Sequence, residues 1–139
     1  MRRLPTDLKI LNAIYTRYYE QFTQYSRNDP NPDRSAKIYV PIDIELISQK
    51  LKVDKDIVFG RLYYHLQRKH GYKGDDGVSV PFFTLRVGEN IHCVNFPPLA
   101  SVLADLRDQG RRHDRATWIA AGSLVVSVVS ISLTILSQR

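Results

Sequence analysis

Apolar residues recur at helical and strand spacings along most of the chain. Leu4, Leu8, Leu11, Tyr15, Tyr18, Phe22 and Tyr25 alternate at intervals of four and three. That rhythm predicts a helix over residues 6–25, capped by Thr6 or Asp7 with Pro5 just outside. Tyrosine dominates the later half of the stripe, so its rings should leave their polar tips exposed. Asn28-Asp29-Pro30-Asn31-Pro32-Asp33 then reads as loop. Lys37-Ile38-Tyr39-Val40 is a short strand ended by Pro41. Asp43 caps a second helix over 44–51 that buries Ile44, Ile47 and Leu51. Lys52-Val53 turns tightly. Asp54 caps a third helix over 55–70 with Val58, Phe59, Leu62, Tyr63 and Leu66 inward. Gly71 and the Gly74-Asp75-Asp76-Gly77 cluster end it. Two strands, 80–87 and 91–96, are joined by Gly88-Glu89-Asn90 as a hairpin. Pro97-Pro98 breaks the second strand. A fourth helix over 99–109 buries Leu99, Val102, Leu103 and Leu106, with a continuation through Gly110 left open.

The pattern then changes. Residues 116–137 carry no charge, and a helix of that length spans ~33 Å at 1.5 Å per residue, enough for a bilayer core. Leu124, Val125, Val126, Val128, Val129, Ile131, Leu133, Ile135 and Leu136 supply its apolar surface. The expectation is a single transmembrane helix, with Trp118 at the interface and Arg111, Arg112 and Arg115 as its basic flank. A buried core helix is the rival reading, and a surface amphipathic helix would need a charged face that the segment lacks. Three arginines precede the segment and only Arg139 follows it. The bias orients the N-terminal domain to the cytoplasm, as a single-pass, tail-anchored membrane protein. Ala116, Ala120, Ser123, Ser127, Ser130, Thr134 and Ser137 form a stripe of small residues on this helix. Such a stripe suits helix–helix packing and a homodimer. Alternatively, the hydroxyls bond their own i−4 carbonyls.

The expected domains are 1–97, a juxtamembrane helix and basic flank at 98–115, the span at 116–137, and a two-residue tail at 138–139. The fold class is α+β: three helices, a short strand, a β-hairpin and a fourth helix, then the transmembrane helix. Over roughly residues 7–97 this order resembles a winged helix-turn-helix domain. The resemblance rests on Ile47, Leu51-Lys52-Val53-Asp54, Val58, Leu62, Leu66 and Gly71, with the hairpin as the wing. The third helix runs a residue or two longer to its glycine than the family pattern. The resemblance implies that this helix enters the DNA major groove. Arg61, Tyr64 and Arg68 lie opposite its apolar face, with His65 at the edge. Lys69 and, on the first wing strand, Arg86 complete the implied DNA contacts.

Charge supports that placement only in part. The formal net charge is +6, yet residues 1–110 hold a surplus of three and the rest belongs to the C-terminal flanks. Within 1–110 the excess gathers on residues 55–73, which carry five basic residues and one acid, Asp56. Basic residues also suit the C-terminal end of any helix. Winged helices also bind proteins. Two functions therefore stand: a membrane-tethered DNA-binding regulator, or a membrane-anchored adaptor that holds a cytoplasmic protein partner through the Tyr-rich first helix or the wing.

Catalytic, metal and cofactor chemistry finds no footing in the sequence. The single cysteine, Cys93, excludes an internal disulfide, and a reducing compartment is the simplest setting. The first residues have basic side chains but no apolar stretch, so they are not a secretory signal. His92 and Cys93 alternate across a strand and cannot share a metal. His65 and His70 are five apart, a poor chelate spacing on a helix. Asp75-Asp76 is a turn between glycines, and the glycines at 71, 74 and 77 lack the Lys-Ser and helix start of a phosphate loop. The chain is not expected to be an enzyme.

Overall fold

The structure, a computed structural model, describes residues 4–29 and 32–137, with side chains described as far as residue 123. It divides into two units, Met1–Ala104 and Asp105–Arg139.

The first unit is a mixed α+β domain. Helix α1 (Asp7–Thr23) is capped by Thr6, whose hydroxyl accepts from the Lys9 N–H at 3.3 Å. Asp43 caps α2 (Ile44–Leu51) by accepting from Leu46 N–H at 3.0 Å. Lys52 closes α2 in the left-handed region at φ 56°, which turns the chain sharply enough for Asp54 to begin the next helix. That helix covers residues 55–70 in three stretches. They are α3 (Lys55–Gly60), a π-helical turn (Arg61–Leu66) and α4 (Gln67–His70). In the π turn the Gln67 N–H reaches back to the Leu62 carbonyl, five residues away. The wider turn takes up additional chain, which accounts for the long run from Asp54 to Gly71.

Strands β1 (Tyr39–Pro41), β4 (Phe83–Val87) and β5 (Asn90–Asn95) form one antiparallel sheet in the order β1-β5-β4. Val40 and Phe83 both pair with Val94. Gly88 at φ 57° makes the turn between β4 and β5, and the Ser35 hydroxyl lies 3.2 Å from where its Cβ would stand. Residues 72–80 form a second, smaller hairpin of β2 (Tyr72–Lys73) and β3 (Ser79–Val80). The glycine cluster expected only to end the preceding helix thus sits in a hairpin of its own. The Asp76 carboxylate accepts from Val78 N–H at 3.0 Å and holds the turn.

The core is where α1, the 55–70 helix, the sheet and the start of α5 (Phe96–Ser137) meet. Ile10, Leu11, Ile14, Val40, Val58, Leu62, Leu66, Val94 and Leu99 are fully shielded from solvent. The face of α1 is rotated from the expected stripe. Ile10, Leu11, Ala13, Ile14 and Tyr18 are buried, whereas Leu4 is exposed and Tyr15 half-buried. Tyr15 and Tyr25 flank the core instead of filling it. Tyr15 and Phe22 stack on Phe96 at 5.5 and 4.7 Å, and the Tyr18 hydroxyl accepts from the Asp43 N–H at 2.7 Å. Pro97-Pro98 do end β5, but as the first turn of α5, where proline's missing N–H costs nothing. Leu99 and Leu103 are buried as expected, and the helix continues through Gly110.

The loop between α1 and β1 is organised around Arg34, whose side chain is buried. Its guanidinium pairs with Asp33 at 2.7 Å, donates to the Gln21 carbonyl at 2.9 Å and lies over the Tyr25 ring.

The expected membrane span is corrected by the second unit. Among the described residues, no helix is long and apolar enough to cross a membrane. Up to Arg115, the second unit's stretch of α5 carries Asp105, Arg107, Asp108, Arg111, Arg112 and Asp114 on an exposed surface. The membrane, single-pass and tail-anchored assignments are withdrawn on that finding. Of the small-residue stripe, Ala120 and Ser123 are exposed, and the Ser123 hydroxyl donates to the Ile119 carbonyl at 3.0 Å. Ser127, Ser130 and Thr134 lie outside the residues whose side chains are described.

Candidate nucleic-acid interface

The 55–70 helix owes its orientation to Val58, Leu62 and Leu66, which are completely buried on one side. The opposite side is therefore held outward. Tyr64 is 70 % exposed there, and Arg68 and Lys69 are exposed in the last turn. Asp56 and Ile57 are exposed in the first turn.

Arg61 and His65 occupy a different environment from the one expected. Both reach the Asp7 carboxylate in the first turn of α1. Arg61 Nε donates to Asp7 Oδ1 at 2.6 Å, and His65 Nε2 lies 3.3 Å from Asp7 Oδ2. Asp7 is the most shielded of the three, with its side chain 14 % exposed against 42 % for Arg61 and 44 % for His65. The Arg61 charge is thus matched by a carboxylate, not left free to act on a distant anion.

Helix and hairpin are joined by Gln67. Its Oε1 accepts from the Phe82 N–H at 2.7 Å and from the Phe83 N–H at 2.8 Å. Both residues are buried at the start of β4, so one side-chain oxygen satisfies two backbone donors that water does not reach. Gly71 makes room for this arrangement. A Cβ there would lie 2.5 Å from Gln67 Nε2 and 2.7 Å from the Gln67 carbonyl oxygen. Below the bridge, Phe59 and Tyr63 stack at 5.5 Å, and Phe83 meets Phe59 edge-on at 6.1 Å. An open groove of about 540 Å3 is left between helix and strand, lined by Tyr63, Tyr64, Gln67, Arg68, Thr84 and Leu85.

Arg86 is exposed on β4, and Lys73 and Tyr72 are exposed on β2. The structure therefore leaves Tyr64, Arg68, Lys69 and Arg86 open to solvent and sets Arg61 and His65 against Asp7. Arg111, Arg112, Arg115 and Trp118 belong to the second unit and are exposed, with Arg112 paired to Asp108 at 2.8 Å. Asp7 and Gln67 were missed as site residues. From the sequence Asp7 is a capping candidate, and nothing in the spacing singles out Gln67.

Cys93 is wholly buried and donates to the Asn90 carbonyl at 3.7 Å. Burial pushes its thiol up from the ordinary value, against smaller opposing effects of the Val87 backbone and the Arg34 charge. Burial likewise raises Tyr39, helped by the nearby Tyr72 hydroxyl. Among the described residues, no group of three His, Cys, Asp or Glu side chains is placed to hold a metal ion. No protein-family model, curated protein or solved structure matches this chain.

Proposed function

We propose that the first unit is a winged-helix-like module that binds duplex DNA through the 55–70 helix, with the β4–β5 hairpin as a supporting wing. The observation that carries this reading is the grouping of Tyr64, Arg68 and Lys69 on the solvent side of a helix whose other side is fully buried. Gln67 ties that same helix to the strand that bears Arg86. The order of helix, strand, two helices and antiparallel hairpin supports this reading, with the small β2–β3 hairpin as an addition to it. In that family the helix after the tight turn lies in the major groove. The basic side chains would contact phosphates or guanine edges, and the exposed tyrosine would add an aromatic surface.

Salt-dependent binding of a labelled duplex by the full chain tests this. Each phosphate contact contributes about −0.9 to the slope of log affinity against log salt. Arg68→Ala with Lys69→Ala should weaken binding severalfold and flatten that slope by about two. Binding that is indifferent to both substitutions would refute the assignment of this helix.

A second reading, docking of a protein on the hairpin, is favoured by the exposure of Leu85 and Ile91, apolar residues on neighbouring strands. Leu85→Ser should spare DNA binding on the first reading and abolish partner capture on the second.

A further inference from the structure

We infer that Asp7 sets the polyanion affinity of this face by acting as a built-in competitor for Arg61 and His65. The inference rests on the DNA-binding reading above and adds to it a residue from a different helix.

A carboxylate bridging a guanidinium and an imidazole presents two oxygens to two nitrogen donors. A phosphodiester group offers the same donors the same kind of acceptor at the same unit charge. Asp7 Oδ1 takes Arg61 Nε at 2.6 Å and Oδ2 lies 3.3 Å from His65 Nε2. The acid is on the inside and the two nitrogen-bearing side chains are on the solvent side, as their exposures show. An incoming phosphate would thus meet an Arg61 donor that is already engaged and an imidazole that faces the same carboxylate. Asp7 and Arg61 together carry no net charge. At the distance of a phosphate outside the pair, Arg61 then supplies little attraction.

No local geometry requires this pairing. Thr6, not Asp7, caps α1. Asp7 and Arg61 are 54 positions apart and meet only because the two helices pack together.

The test compares the full-length wild type with Asp7→Asn in duplex binding across a salt series, with inorganic polyphosphate titrated in parallel. Asp7→Asn should tighten duplex binding three- to tenfold at low salt and steepen the salt slope by about one. Arg61→Ala alone should change affinity less than twofold, and the double variant should lose the gain. Asp7→Ser removes the same charge at smaller volume and must reproduce the gain, which covers a failure of the asparagine variant to fold. Unchanged or weaker binding of both polyanions by the Asp7 variants would overturn the inference. A gain for polyphosphate with no duplex binding by any variant would leave the competitor role intact and refute DNA as the ligand.

Discussion

Gln67→Ala is the most direct perturbation of the joint between helix and hairpin. The wild-type Oε1 accepts from two backbone N–H groups, at 2.7 and 2.8 Å, in residues that are 1 % and 2 % exposed. Truncation to alanine removes the acceptor and leaves both donors buried. An orphaned donor of this kind costs about 1–3 kcal/mol. A void beside the Phe82 and Phe83 backbone admits some water, which lowers the sum. The expected loss is about 2–4 kcal/mol, a large share of the ~5–15 kcal/mol of a typical domain. Urea unfolding of the full chain, followed by far-ultraviolet circular dichroism, measures it. The one tryptophan, Trp118, lies in the other unit and does not report on this joint. Gln67→Glu keeps an acceptor oxygen at the same reach and should recover more than half of the loss. Gly71→Ala should approach the alanine variant in cost, because its Cβ would collide with the Gln67 amide and carbonyl. A loss below about 0.5 kcal/mol for Gln67→Ala, or a glutamate variant as weak as the alanine one, would refute the account of Gln67 as a shared acceptor.

Two further outcomes follow from the backbone and from burial. Lys52→Gly relieves a non-glycine residue at φ 56° and ψ 43° and should stabilise the domain by about 0.5–1 kcal/mol in the same urea assay. Cys93 and Tyr39 both hold their protons more tightly in the folded chain, the first through burial and the second through burial and Tyr72. Their contribution to stability is full below the ordinary values of 9.0 and 10.0 and is lost as pH rises through the raised ones. The melting temperature should therefore fall above pH 9, and Cys93→Ala should blunt the start of that fall.

Much of the first unit was legible from local signals because its elements obey local rules. Asp43 and Asp54 cap α2 and α3 where a short acid precedes an apolar helical run. The bounds of α2 were readable to the residue, and Val58, Leu62 and Leu66 announced the buried side of the next helix by spacing alone. The tail reading drew on uncharged length. Among the described residues no helix is long and apolar enough to cross a bilayer, so uncharged length alone did not make a span.

Contacts between elements distant in sequence were decided by tertiary packing. The buried side of α1 turned to Ile10 and Ile14 because Phe96 claims the rings of Tyr15 and Phe22. Arg34 is buried because a guanidinium can satisfy Asp33 and a helix carbonyl together, a fit that no loop composition reveals. Asp7 meets Arg61 and His65, and Gln67 meets Phe82 and Phe83, only once two elements are brought within hydrogen-bond distance. Spacing along a chain specifies which residues share a face. Whether a charge on that face is free or neutralised depends on what the fold sets against it.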